Sequence, residues 1–439
     1  MALVVGIDLG SRAARGIALD EGGAVAREAG VPYADIDARE RGRADPFVWL
    51  AAFEQAIEQL GVDRPVALAV GGQSPTTVPS DATAPAVTHM HPAGATLDPH
   101  RQHEEQHAVL RGERADVEPM QLWDWVLMRC GAPRVQGRWP GDPPLPGYGD
   151  VVTTGTPCGT ANGTNGIPPG TPLVPGAQDA YLAFWAAGID DPGRALDPGG
   201  RSGGLGVAVA AGERPEGMFA LPAAAAGVDI VGGPVSAHGL VLEWWAAMTR
   251  HTVDELLALA ADVPPGARGV VALPYLEGER APRWDRELRA EMIGLSSAHG
   301  PADVARALLE STAYGLAHIA HELADQGVVT RRVVVGGSPA RSALWSQIKA
   351  SVLEVPVEVP EHTELAAYGA ALAAGAAAGW WPRPGAGNAG DWPRPATRVI
   401  EPEPSDTYRA GYQQFVELGD EAMARLARRR TQEEPCRTR

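Results

Sequence analysis

The stretch "VVGIDLGSRAARGIALDEGG", residues 4–23, reads as a strand, a tight turn at Gly10-Ser11-Arg12 and a second strand. Its oddity is an acid, Asp8, at the mouth of the glycine turn. A carboxylate repels phosphate, whereas a glycine turn offers backbone N–H groups that attract it. A divalent ion reconciles the two. Asp8 would orient Mg²⁺ or its waters, Gly10 and Ser11 would permit close backbone approach, and Arg15 would add positive charge. The plain alternative is an ordinary hairpin with a solvated aspartate. The chain has no GxxxxGK[ST], which excludes a P-loop. It has no GxGxxG between a strand and a helix, which argues against a Rossmann dehydrogenase.

Two more glycine turns lie further along. "GGRSGG" (199–204) precedes a strand-like run, and "VVVGGSPARSALW" (333–345) is a strand, a Gly-Gly turn and a helix opening near Ser342. Each also reads as a simple loop. Three such turns spread over both halves point to a nucleotide held between two domains.

Other strand signals are "PVALAV" (65–70), which ends at Gly71-Gly72, "GVAVAA" (206–211), "GVVALPYL" (269–276) and "VPVEVP" (355–360). Residues 131–176 are dense in Gly and Pro and predict a long connection with little regular structure. From Pro301, the residues Val304, Ala307, Leu308, Ser311, Gly315, His318 and Ile319 share one helical face, with Asp303 and Glu310 on others. "LAAYGAALAAGAAAGWW" (365–381) predicts a buried helix, short of the ~20 apolar residues a membrane span needs. A last helix over 405–430 carries Tyr408, Tyr412 and Phe415 and ends in basic residues, with a frayed tail beyond. Strands alternating with helices in both halves predict an α/β chain.

A length of 439 residues is too great for one ordinary core, so two domains are expected. The net charge is −17, from 54 acids and 37 bases, and lysine is scarce. With no long basic run, nucleic-acid and anionic-membrane partners are excluded. Cys130, Cys158 and Cys436 are far apart without CxxC spacing, which fits a reducing cytoplasm. The N-terminus runs straight into a strand, so no secretory signal is expected. A homodimer is the common default for such a protein.

These motifs resemble the FGGY family of carbohydrate kinases, with xylulokinase-like and ribulokinase-like features. "GIDLGSRAARGIALD" resembles the family's first phosphate motif, and "VGGQSPTTVPSD" (70–81) its second strand and turn. "GTPLVPGAQDA" (170–180) resembles the segment that carries the catalytic acid, which falls on Asp179. "LPYLEGERAPRWD" (273–285) with "IGLSSAHGPADVARALLESTAYGL" (293–316) is the most specific match. "GGSPARSALWSQIKA" (336–350) with "ELAAYGAALAAG" (364–375) resembles the adenosine site.

The resemblance implies an α/β fold of two ribonuclease H-like (actin-like ATPase) domains with a nucleotide cleft between them. It divides the chain into a sugar-side domain, 1–192, shortened within 95–150, and a nucleotide-side domain, 193–439. The implied reaction moves the γ-phosphoryl group of ATP, with Mg²⁺, to a hydroxyl of a sugar, polyol or cyclitol. Asp179 would be the base, and Asp8 would hold Mg²⁺ through water. Ser11 and Arg15 would face the phosphates, with Gly200 and Ser202 at the β/γ region. Gly336, Gly337 and Ser338 would approach the α-phosphate and ribose, and Gly369 would leave room for adenine. Gln73, Ser74 and Gln178 are the implied substrate contacts. Asp179 also reads as the N-cap of the following helix.

The chain departs from the family in several places. "PAVTHMHPA" (85–93) has His89 and His91 where a Trp-x-Asp-x-Arg-like sugar contact is usual, Arg201 replaces a usual threonine, and Ser351 a frequent aspartate. These departures motivate a second reading, a catalytically degenerate nucleotide- or sugar-binding relative. "HEEQH" (103–107) fits HExxH, the zinc-protease pattern, and His89, His91 and His100 lie nearby, so metal binding is a third. The alternative for that segment is a polar, exposed helix.

Overall fold

The computed structural model describes residues 1–33, 42–89, 91, 99–403 and 405–437. The chain divides into two compact units. The first comprises Met1–Asp190, Pro222–Val228 and Glu364–Pro395, and the second Asp191–Leu221, Asp229–Thr363 and Ala396–Arg439. The expected 192/193 division needs amendment, because the helix at 365–377 belongs to the first unit.

The opening hairpin forms as read: β1 (Val4–Leu9) pairs antiparallel with β2 (Ala13–Leu19), and β2 with β3 (Val25–Pro32). After α1 (Pro46–Leu60), β4 (Leu68–Gly72) joins β1 in parallel. α1 has an explicit start and stop. Asp45 caps it by accepting from Phe47 N–H at 3.0 Å, Pro46 opens it, and Gly61 ends it at φ 54°. Its inner face buries Trp49 and Phe53 fully, each stabilising the fold by about 2–3 kcal/mol.

α2 (Pro99–Glu113), α3 (Leu122–Arg129), β5 (Val135–Arg138), β6 (Gly159–Thr160), β7 (Pro172–Gln178) and α4 (Asp179–Ala186) complete this part of the chain. The sheet order is β6-β7-β4-β1-β2-β3. The segment 131–176, expected to hold little regular structure, therefore leads through three short strands, β5, Asp150–Thr153 and β6, into β7, which pairs in parallel with β4. The prolines hid it. Pro172 is tolerated as the first residue of β7, and Pro175 because β6 covers β7 only at Leu173 and Pro172, leaving the rest a sheet edge.

The second unit repeats this order. β8 (Arg194–Asp197) pairs antiparallel with β9 (Gly204–Ala210), beyond which lie β10 (Phe219–Pro222) and β11 (Val228–Pro234). After α5 (Gly239–Thr249) and α6 (Pro301–Asp325), β12 (Arg332–Val335) joins β8 in parallel. α7 (Ala343–Leu353) leads to β13 (Val357–Pro360), parallel to β12. α8 (Leu365–Ala377) follows, then β14 (Thr397–Ile400) and α9 (Asp406–Arg437). The order is β10-β11-β9-β8-β12-β13-β14. Each sheet thus holds an antiparallel hairpin whose first strand is extended on its other side by two parallel strands.

α6 is buried nearly all round, including the two acids expected on other faces. For Glu310 the cause is Arg306, whose Nε donates to it at 2.7 Å and whose guanidinium donates to the Tyr408 hydroxyl of α9 at 2.6 Å; Asp303 instead accepts from Gly300 N–H at 2.9 Å at the helix start. α9 continues as helix to Arg437, through most of the 428–439 tail expected to fray; Thr438 and Arg439 lie outside the described residues. Among the described residues, no helix is long and apolar enough to cross a membrane.

Candidate active site

In the first unit, β1, β4 and β7 run parallel, and their carboxyl ends align: Leu9 lies beside Gly72, and Gly72 beside Gln178. Ligands in open α/β sheets bind at this edge. The residues placed there are Asp8, Gly10, Gln73, Ser74, Gln178 and Asp179.

Asp8 stands opposite Arg15 in the hairpin. The turn beyond it has its carbonyls occupied. Gly10 O accepts from the Tyr33 hydroxyl and from Trp49 Nε1 at 3.4 Å, Arg12 O accepts from Tyr33 N–H at 2.9 Å, and Ala13 O from Gly10 N–H at 3.1 Å. Neutralised carbonyls leave a turn better suited to an anion, and Ser11 is half-buried within it. Asp8 Oδ1 is buried and has no hydrogen-bond partner. Burial raises the Asp8 carboxyl well above its ordinary range, and the charges of Asp179 and Glu364 push the same way, against Arg15. Arg15 also reaches Glu364 at 3.5 Å.

Gln73 donates its backbone N–H to Leu9 O at 3.0 Å, which fixes it beside the Asp8 strand end. Its side chain is 3% exposed, and both amide atoms lack partners. Each such atom costs about 1–3 kcal/mol, so an unfilled amide here marks a place for a polar ligand. Ser74 Oγ lies 3.4 Å from His103 Nε2. Gln178 is the N-cap residue of α4 without a side-chain cap bond, and Asp179 is the first helical residue. The capping alternative for Asp179 therefore falls. Its Oδ1 accepts from Ala180 N–H at 2.8 Å, and the half-buried side chain sits where its charge acts on Asp8.

In the second unit, the other two glycine turns meet. Gly336 N–H donates to Asp197 O at 2.9 Å, and a Cβ on Gly199 would collide with Gly336 O. Gly337, at φ 64°, donates to Thr363 O at 2.8 Å, and a Cβ on it would lie 3.0 Å from Gly200 N. Gly200 (φ 79°) has open space where a Cβ would be. Arg201 reaches Glu243 at 3.2 Å, Ser202 is half-buried, and Ser338 opens a short turn before α7, which Ser342 caps.

Gly369 is not part of this group. It lies on α8 in the first unit, where a Cβ would collide with the Leu182 backbone of α4. Gly6 of β1 faces Ala371 in the same way, so these glycines bring a helix onto a strand and a second helix. The direction in which a side chain would grow from Gly369 is thus filled by α4, which is tight helix packing.

The "HEEQH" helix, for which a polar, exposed helix is the alternative to metal binding, is half-buried. His103, Gln106 and Leu110 are buried. Gln106 accepts from Thr77 Oγ1 at 2.8 Å and donates to Pro75 O at 3.1 Å, and Tyr148 donates to His103 O at 3.1 Å. Glu104 is exposed, and among the described residues no group of three or more His, Cys, Asp or Glu is placed to hold a metal. The His100 side chain, and Met90, Pro92 and Ala93 of the segment 85–93, lie outside the described residues. Asp197, His238 and Lys349 form a buried cluster that sequence reading missed.

The doubled sheet order is that of the actin-like ATPase fold. A model of the FGGY family of carbohydrate kinases, C-terminal domain, matches residues 216–378. The chain is 33% identical to the gluconokinase of Bacillus subtilis (strain 168) over 222 residues, 47% of this chain and 43% of that protein. It is 42% identical to the glycerol kinase of Gloeobacter violaceus over 132 residues, 30% of this chain and 26% of that one. These matches span less than half the length of either relative. The crystal structure of ligand-bound xylulose kinase from Lactobacillus acidophilus shares the fold, with a TM-score of 0.78 at 19% identity, covering 97% of this chain and 99% of that one.

Proposed function

We propose that this protein is an ATP-dependent kinase that phosphorylates a hydroxyl group of a sugar, polyol or cyclitol. The observation that carries this reading is the cluster at the carboxyl ends of β1, β4 and β7. There, two acids are near enough for one to raise the other's pKa, beside a buried, unfilled glutamine amide. Two adjacent carboxylates are costly to a fold and are explained by use.

Asp179 accepts the proton of the attacking hydroxyl. Gln73, with a free donor and a free acceptor, orients the acceptor molecule through its other hydroxyls, and Ser74 and Gln178 flank it. The orphaned Oδ1 of Asp8 fits a hydrated Mg²⁺, which when bound screens the charge of the phosphates. Arg15 and the Ser11 turn face the transferring phosphoryl. In the second unit, Gly200 and Ser202 take the β/γ region, and Gly336, Gly337 and Ser338 the α-phosphate and ribose. Cys130 and Cys158, both free thiols, fit a reducing cytoplasm.

The test is a coupled assay of ADP release across ketoses, aldoses, sugar acids, polyols and cyclitols, with Mg-ATP. Release that depends on one polyhydroxy compound supports the reading. Mg-ATP binding without transfer to any member of the panel refutes it in favour of the degenerate relative.

A further inference from the structure

Lys349 is the sole lysine of the chain: every other residue among its 37 Lys and Arg is an arginine. It is also 1% exposed, and its Nζ lies 2.6 Å from Asp197 Oδ2, itself fully buried. The other oxygen of that carboxylate, Oδ1, accepts from Gly199 N–H at 3.0 Å. The main-chain carbonyl of Asp197 accepts from Gly336 N–H at 2.9 Å. One residue therefore ties together both glycine turns of the second unit, and Lys349 anchors it from α7, the helix that follows the second turn.

The surroundings require a compact cation. His238 Nε2 faces the same carboxylate at 3.5 Å, with its ring stacked on Trp345 at 5.0 Å and 8°. Lys349 Nζ lies 5.2 Å from that indole. Burial pushes the His238 imidazole down to about 3, against Asp197 and with the Lys349 charge, so His238 is neutral and does not supply the cation. An ammonium is a point charge that fits between ring and carboxylate, and a planar guanidinium is not.

A buried ion pair is a poor stabiliser, because desolvation offsets its attraction and apolar replacements are often as stable. Stability alone therefore does not account for a unique lysine here; geometry does. We propose that the Asp197–Lys349 pair is a positioning device for nucleotide binding, holding Gly199 and Gly336 in register so that the 198–203 turn is preset to receive phosphate. This rests on the nucleotide role given above to the second unit.

The test uses the full chain and Mg-ADP. Two double variants remove both charges together, so neither leaves a lone buried ion. Asp197→Asn/Lys349→Met keeps an oxygen for Gly199 N–H, and Asp197→Leu/Lys349→Met does not. By titration calorimetry the Asn variant, which loses the Lys349 anchor, binds Mg-ADP about three- to tenfold more weakly than wild type, and the Leu variant, which also loses the Gly199 bond, at least about tenfold more weakly than the Asn variant, at a similar Tm. Equal affinity in both overturns the proposal. A second readout needs no variant: selective ¹⁵N labelling of lysine gives one side-chain ammonium resonance. Saturation with Mg-ADP moves it; a stationary resonance overturns the proposal even if the Leu variant does not fold. A wild type that binds no Mg-ADP sinks the nucleotide reading itself, and this inference with it. A wild type that binds, with variants indifferent, sinks only the inference.

Discussion

Asp179→Asn separates chemistry from folding. The side chain accepts from Ala180 N–H through Oδ1, and an asparagine oxygen can do the same. Losing a negative charge in the first turn of α4 costs about 0.3–1 kcal/mol of favourable interaction with the helix dipole. The opposite contribution comes from Asp8, whose carboxyl is held high first by burial and then by the Asp179 charge. Removing that charge relieves the repulsion. The two effects oppose, so stability changes by less than about 1 kcal/mol. Turnover does not enjoy this compensation. A positioned base contributes ~10²–10⁴ in rate, and asparagine cannot take a proton. With an acceptor found by the substrate panel, ADP release at saturation falls by that factor while the urea midpoint stays in place. A variant that keeps more than a tenth of wild-type turnover removes Asp179 from the chemistry. A loss of turnover matched by a loss of several kcal/mol in stability means the residue is structural.

Three further outcomes are expected. Asp8→Asn raises the Mg²⁺ concentration needed for half-maximal ADP release by about 10–100-fold, measured by magnesium titration at fixed ATP, because the carboxylate acts on the ion through water. Burial pushes the Asp124 carboxyl up to about 7 from 3.8, against the N–H of Gly137 and the amide of Gln121. The folded chain keeps this proton where the unfolded one releases it. The contribution is therefore full below about pH 4 and is lost as pH rises through 7, up to about 4 kcal/mol. Asp124→Asn removes that slope, so urea denaturation at pH 4 and pH 8 shows the gap between wild type and variant changing with pH; a constant gap is the contrary result. Gly369→Val forces a side chain into the Leu182 backbone and lowers stability by at least about 1–3 kcal/mol, read as a fall in Tm. An unchanged Tm with weakened Mg-ADP binding would favour the adenine-clearance role.

The sequence makes the ends of the parallel strands readable because glycine turns punctuate them. Asp8, Gln73 and Asp179 each follow or close a short apolar run, and three strand pairings bring them to one edge. What stayed hidden has physical causes. β7 breaks the strand pattern with two prolines, permitted at the strand start and at a sheet edge. Gly369 looks like a ligand-facing glycine beside alanines, but nothing in the one-dimensional pattern says that α4 lies against it. The burial of Glu310 in α6 depends on Arg306 and, through it, on Tyr408, 102 residues away, which no local periodicity encodes. Lys349 carried one legible signal, its rarity, but its partner sits 152 residues earlier.

The two sheets share an order, and each carries an acid just before the glycine turn that joins its first two strands: Asp8 ahead of Gly10, Asp197 ahead of Gly199. The acids differ in how their charge is met. At Asp197 burial is outweighed by Lys349 and the Gly199 N–H, so the carboxyl is held below its ordinary range and its cation is built into α7. At Asp8 the nearest arginine is shared with Glu364, one oxygen has no partner, and the carboxyl is pushed up instead. A site that carries its own counter-ion is fixed in shape whatever is bound. A site that lacks one remains costly until a cation arrives from outside. That asymmetry fits the parts proposed above for the units: a preset grip on the nucleotide in the second, and in the first a pair of acids whose repulsion a magnesium-bearing phosphate would relieve on binding.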